Sequence, residues 1–221
     1  MVRVWCILIG YVFGLFQTAF FYGKLHGIDI RSVGSGNAGT TNTLRVLGTK
    51  AGIIVLLGDV AKTMLAILLV KLVFVPEYPD IKYILILYTA MGAILGHNYP
   101  FYMGFKGGKG IAATAGLILS FNPWFILVGV FAFFVPFLIT KYVSLGSLCI
   151  YLMFVIQLVV MGQCGYFEAM SQPQLIEMYI IAAFLMAMAY WRHRSNIVKL
   201  IAGTERKTYL VRKPDGHENA E

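Results

Sequence analysis

The sequence predicts an all-α integral membrane protein with seven transmembrane helices, the N-terminus outside and the C-terminus in the cytoplasm. Three observations carry that prediction: the scarcity of charge, the spacing of the apolar runs, and the distribution of lysine and arginine. Of 221 residues, 59% are hydrophobic and 13% are charged. A soluble domain carries about 25% charged residues, so this composition points to lipid as the solvent. A helix needs about 20 mainly apolar residues to cross a hydrocarbon core of roughly 30 Å. Helices are the default because every backbone polar group in lipid must be satisfied internally.

In chain order, the long apolar runs are 4–22, 51–75, 81–95, 124–139, 144–161 and 175–191. The first follows Arg3 and is not followed by a small-residue cleavage site, so it reads as a retained span. Ile111–Phe121 is shorter and is ended by Asn122-Pro123. It counts as a span because of sidedness. With seven crossings, Lys24, Arg31, Arg45, Lys50, Lys106, Lys109, Lys141, Arg192, Arg194, Lys199, Arg206, Lys207, Arg212 and Lys213 share one side. Only Arg3 and Lys82 fall opposite, among Glu77, Asp80, Glu168 and Glu177, while Lys62 and Lys71 lie within a span. Removing 111–121 as a crossing sends Lys141 and the most basic stretch, 192–213, to the acidic side. The positive-inside rule therefore selects seven spans and a cytoplasmic C-terminus. Pro136 predicts a kink, and 208–221 predicts a polar, disordered tail after a single domain over 1–207.

The net charge of +8 suits orientation signals, anionic lipid and anionic substrates rather than nucleic acid. Cys6, Cys149 and Cys164 have no zinc, redox or disulfide spacing, so neither a metal nor a cofactor is called for.

Three polar segments fall on the predicted cytoplasmic side. In 31–45, Gly34, Gly36 and Gly39 allow a turn whose N–H groups can nest an anion. Ser35, Asn37, Thr41 and Asn42 add donors, and Arg45 brings a planar fork suited to phosphate. In 96–110, His97 precedes Gly107-Gly108-Lys109-Gly110, which runs into an apolar segment. That places N–H groups and an ammonium at a helix N-terminus, a phosphate site. It is not a nucleotide P-loop, because the glycine spacing fails and Ile111 replaces the Ser/Thr. In 192–205, His193 and Asn196 stand three apart on one helix face, and His193 is a candidate acid or base. Within the second span, Asp59 and Lys62 have the spacing of a structural ion pair beneath the site. Read alone, each segment also fits a solvated inter-helix loop carrying orientation charges.

Together the strings Gly34-Ser-Gly-Asn-Ala-Gly-Thr-Thr-Asn-Thr-Leu-Arg45, Gly96-His-Asn-Tyr-Pro with Phe105-Lys-Gly-Gly-Lys-Gly110, and Arg192-His with Asn196-Ile and Gly203-Thr-Glu205 resemble the three signature motifs of the bacterial membrane glycerol-3-phosphate acyltransferase (PlsY) family. The resemblance covers nearly the whole chain in order and spacing. Thr63, where glycine is usual, and Val198-Lys199, where relatives often have a basic pair or arginine, depart from it. It implies a bacterial inner-membrane enzyme that transfers an acyl group from acyl phosphate to the 1-hydroxyl of glycerol 3-phosphate. The products are 1-acyl-glycerol 3-phosphate and phosphate. On that reading Ser35, Arg45, His193 and Asn196 are catalytic. Gly36, Asn37, Gly39, Thr41, Asn42, His97, Gly107, Gly108, Lys109 and Gly110 bind substrate. The proton acceptor is either His193 or a substrate phosphate oxygen. None of the four histidines has the His-x4-Asp spacing typical of thioester-dependent glycerolipid acyltransferases, which favours the more activated acyl phosphate. The rival reading is a small transporter or channel for an anionic solute. It predicts repeated halves and polar, broken helices near the midplane, whereas the polar residues here gather at one face and no repeat is visible.

Overall fold

The computed structural model describes residues 1–209, which contain helices and no strand. Residues 210–221, most of the predicted tail, lie outside the described residues. In order the helices are α1 (Val2–Gly14), α2 (Thr18–Leu25), α3 (Thr40–Leu47), α4 (Thr49–Val73), α5 (Lys82–Asn98), α6 (Ile111–Phe121), α7 (Pro123–Thr140), α8 (Val143–Gln163), α9 (Gln172–Arg192) and α10 (Arg194–Ile201). Six stretches are long and apolar enough to cross a bilayer: Val2–Leu25, Thr49–Val73, Pro79–Met103, Pro123–Thr140, Val143–Gln163 and Gln172–Arg192. They coincide with the six long runs read from the sequence. α6 is helical but has only 11 residues, a rise of about 16 Å.

The first apolar run is not one continuous helix. It breaks at Leu15–Phe16–Gln17, where Gln17 adopts φ −92°, ψ 89°. The groups freed by the break find partners inside the protein, as lipid demands. The Phe16 carbonyl accepts from Lys62 Nζ at 2.7 Å. The Gln17 side-chain amide donates to the carbonyls of Gly14 (3.3 Å), Gly96 (3.3 Å) and His97 (2.9 Å).

α1 and α5 meet backbone to backbone. A Cβ on Gly10 would stand 2.0 Å from the Thr89 carbonyl oxygen, and one on Gly14 would stand 2.2 Å from that of Ala93. On the facing helix, a Cβ on Gly92 would stand 2.1 Å from the Ile7 carbonyl oxygen and one on Gly96 2.3 Å from that of Tyr11. Lipid tails are as apolar as leucine, so helices in a membrane associate through close van der Waals contact, which small residues four apart permit. The same position makes α5 the central helix, with Ile84, Leu85, Ile86 and Leu87 all buried in succession. α7 is peripheral and turns Leu127, Phe131, Phe134, Leu138 and Ile139 outward.

α6 packs against its neighbours through Ala113, Thr114, Gly116, Leu117 and Ile118, with Leu119 turned outward. At its end, Phe121 packs against Tyr83, Phe125, Phe154 and Phe167. Asn122 then caps α7 by accepting from the Trp124 N–H at 3.1 Å, with Pro123 in the first turn. Its amide donates to the Tyr166 hydroxyl at 3.0 Å. The end of α6 thus lies beside the start of α5 and the α8–α9 turn. Arg3 and the Tyr88 hydroxyl both bond Glu177 near this end.

Candidate active site

The other end of the bundle carries the three polar segments. In the first, three N–H groups of the glycine-rich loop are used to hold the loop itself. Ser35 N–H donates to Asn42 Oδ1 at 2.7 Å, Gly36 N–H to the Val33 carbonyl at 3.1 Å and Gly39 N–H to the Asn37 carbonyl at 3.0 Å. Asn42 is buried, and its amide spans the Ile30 and Val33 carbonyls at 3.0 Å each, so its side chain braces the loop instead of offering a donor. Further donors come from α3, whose first-turn N–H groups at Thr40, Thr41 and Asn42 have no intrahelical partner. The Thr40 hydroxyl at this tip is buried and unpartnered. Ser35 and Gly36 are exposed at the rim, Asn37 and Thr41 are half-buried, and Arg45 points from the last turn of α3.

The second segment folds back into the bundle. Gly107 N–H donates to the Asn98 carbonyl and Gly108 N–H to the His97 carbonyl, each at 3.1 Å, so these two glycines also lack free donors. Their role is close approach: a Cβ on Gly108 would stand 2.1 Å from His97 Nε2 and 2.7 Å from the Ala38 carbonyl of the first loop. Arg192 closes the turn by donating to the Gly107 and Gly108 carbonyls at 3.0 and 2.6 Å, its guanidinium 5.3 Å from the Tyr99 ring centre. Gly110 caps α6 at φ 82°, a left-handed conformation that glycine adopts without strain. The first turn of α6 is then left open beside Lys109. The side chain of Asn98, which lies against Gly110, is fully buried with neither amide atom partnered. His97 is buried beneath the loop rather than in the open site.

The third segment completes the cluster. Lys109 Nζ donates to Asn196 Oδ1, and the Asn196 amide donates to Glu205 Oε1 at 2.8 Å. The same oxygen accepts from the Ser144 hydroxyl at 3.1 Å. His193 sits buried at the joint between α9 and α10, its Nδ1–H donating to the Ala189 carbonyl at 2.8 Å. That bond puts the lone pair on Nε2. Arg45 donates to the Arg206 carbonyl at 3.1 Å and to the Thr208 hydroxyl. Thr208 is buried, and its N–H donates to the Lys141 carbonyl at 2.9 Å.

The electrostatics are those of a partly desolvated cation cluster. Burial lowers the Lys109 pKa to about 8, with Arg192, Lys199 and Arg45 adding to the effect and Glu205 opposing it. Burial and then the Lys109 charge lower His193 to about 4, so its imidazole is neutral near pH 7. Glu205 and Ser144 stand outside the predicted site residues. A lone acid among the basic residues of 192–207 was the available signal for Glu205; Ser144, in an apolar run, gave none. The Ser35 hydroxyl is exposed and makes no hydrogen bond among the described residues. The described residues hold no group of three His, Cys, Asp or Glu that could ligate a metal.

Open helix N-termini, cations and unpartnered buried polar atoms at one face suit a small phosphorylated ligand. The family model described as glycerol-3-phosphate acyltransferase matches residues 4–203. A glycerol-3-phosphate acyltransferase of Clostridioides difficile is 39% identical over 202 residues, covering 90% of this chain and 92% of the relative. One from Shouchella clausii is 41% identical over 204 residues, covering 91% and 93%. The crystal structure of PlsY (YgiH), an integral membrane glycerol 3-phosphate acyltransferase, in its glycerol 3-phosphate form superposes with a TM-score of 0.80 at 30% identity, covering 95% of this chain and 96% of that one. Its lysophosphatidic acid form gives 0.77 at 29% identity, covering 94% and 95%. With the motifs in place and the match running almost end to end, the chain belongs to the glycerol-3-phosphate acyltransferase family of integral membrane enzymes of phospholipid synthesis.

Proposed function

We propose that this protein transfers an acyl group from acyl phosphate to the 1-hydroxyl of glycerol 3-phosphate at the cytoplasmic face of a bacterial inner membrane. The observation that carries the reading is the convergence of all three segments on the Lys109–Asn196–Glu205 chain beside Arg45. The hydroxyl oxygen attacks the carbonyl carbon, the C–O bond to phosphate breaks, and inorganic phosphate leaves. Two anions must be held together, which the open turns of α3 and α6, Lys109 and Arg45 support; proximity then supplies much of the rate. The same donors oppose charge building on the carbonyl and leaving oxygens. The hydroxyl proton goes to a phosphate oxygen, because His193, lowered to about 4, is a weak base. His193 Nε2 and Asn196 orient the acceptor, and Ser35 guards the exposed rim.

Seven crossings with an outside N-terminus accord with α6 leading from Gly110 at the site to Phe121 beside Tyr83, the start of α5. A recessed second loop shortens the distance α6 has to cover.

The test is a donor comparison on purified enzyme in lipid. Acyl phosphate is expected to support transfer into 1-acyl-glycerol 3-phosphate, with acyl-CoA and acyl-carrier protein poor or inactive. Equal or faster transfer from acyl-CoA would overturn the donor assignment. Movement of glycerol 3-phosphate across vesicles without covalent transfer would favour the transporter.

A further inference from the structure

Beneath the second loop lies a charged cluster to which the proposed acyl transfer assigns no step. Asp59, Lys62 and His97 are 1%, 4% and 3% exposed. Lys62 Nζ reaches Asp59 Oδ1 at 2.9 Å, the Phe16 carbonyl at 2.7 Å and His97 Nδ1 at 2.8 Å. An ammonium has three protons, and each has an acceptor here. Asp59 Oδ1 also accepts from the Thr18 hydroxyl at 3.0 Å, which ties the start of α2 into the same cluster.

The bond to Nδ1 has a chemical consequence. A neutral imidazole that accepts at Nδ1 from an ammonium carries its own proton on Nε2. That nitrogen faces Gly108, since a Cβ there would stand 2.1 Å from it and 2.7 Å from the Ala38 carbonyl of the first loop. The His97 backbone grips the same residue: its carbonyl accepts the Gly108 N–H at 3.1 Å and the Gln17 amide at 2.9 Å. Gly108 immediately precedes Lys109 and the cap of α6, so its position sets theirs.

We propose that Asp59, Lys62 and His97 form a positioning triad that holds the His97 ring in its Nε2–H form against Gly108, and so sets Lys109 and the first turn of α6 at the spacing from the first loop that glycerol 3-phosphate requires. This rests on the reading of that site as the glycerol 3-phosphate site. All three side chains are buried beneath the second loop. An apolar pair of equal volume would hold α4 in place as well as an ion pair does, but it could not fix a histidine tautomer.

The test measures steady-state kinetics with acyl phosphate as donor, alongside thermal unfolding, on purified protein in lipid. Transfer by the unaltered protein is read first, and its absence would overturn the functional reading itself. The double variant Asp59→Asn/Lys62→Met removes both charges. It is expected to stay folded, yet to raise the KM for glycerol 3-phosphate about tenfold, with donor KM and kcat changed less than about threefold. A wild-type acceptor KM in that variant would reduce the pair to a structural role and overturn the proposal. A second comparison stands independently of whether the double variant folds. His97→Gln, whose amide can accept from Lys62 and donate toward Gly108, is expected to keep an acceptor KM near wild type. His97→Leu is expected to raise it about tenfold. Equal acceptor KM in those two variants would also overturn it.

Discussion

Arg45 reaches the C-terminal segment through one guanidinium nitrogen, bonding both Arg206 and Thr208, and the proposed phosphate contact falls to the remaining donors of the fork. A lysine keeps the charge but not the fork. Arg45→Lys is therefore expected to insert normally and to lose about 10²-fold in kcat, a loss of the size seen when one oxyanion donor is removed; an assay on the purified variant checks it. Lys109 gives the pH dependence. It is a cation below about pH 8 and neutral above, so kcat/KM for glycerol 3-phosphate should fall as pH rises through that value. Lys109→Arg should move this limb upward. The unfolded chain keeps that proton up to the ordinary value of 10.5. The unfolded state thus binds more protons between the two values, and stability should rise with pH across that window. Gly108→Ala should destabilise by about 1–3 kcal/mol as an overpacked site and lose acceptor affinity, because the new methyl meets His97 and Ala38. The polar side chains of the cluster, Arg45, Lys109 and Asn196, were legible from their motifs. The division of labour was not: Asn42, His97 and the glycine N–H groups turn inward, and local sequence does not show which hydrogen bonds a loop spends on itself.

Among the elements, the α1–α5 crossing is the least tolerant. Gly14→Leu should destabilise by about 3 kcal/mol or more, read as a fall in thermal midpoint in detergent. The same measurement on lipid-facing Leu8→Ala should show little change, since Leu8 is 48% exposed. The long apolar runs were readable because lipid leaves only composition and length to decide. The break in the first run escaped that reading. Hydropathy averages across Gln17, and only the neighbours on α4 and α5 reveal that Lys62 satisfies the opened Phe16 carbonyl while the Gln17 side chain bonds the carbonyls of Gly96 and His97. The glycines at 10, 14, 92 and 96 lay within apolar runs, where they read as filler; their meaning depends on a partner helix far along the chain.

For the molecule as a whole, the proposed sidedness can be tested with a native probe. Cys164 is exposed in the α8–α9 turn, whereas Cys6 is buried. With Cys6 and Cys149 replaced by serine, a membrane-impermeant thiol reagent should label Cys164 from outside intact cells. In a cysteine-free background, Lys50→Cys and Thr204→Cys should be labelled only from the cytoplasmic side. Labelling at Thr204→Cys from outside would mean that α6 does not cross. The seam between α1 and α5 also bears on how the protein is made. α1 leaves the ribosome first, yet the surface that Gly10 and Gly14 are shaped to meet belongs to Gly92 and Gly96. At about 5–20 residues per second, several seconds pass before that surface exists. During that interval the first helix lies in the bilayer with its glycine face bare, open to any other small-residue helix nearby. Correct assembly is then a matter of timing as well as of fit, and the arrival of α5 ends the wait.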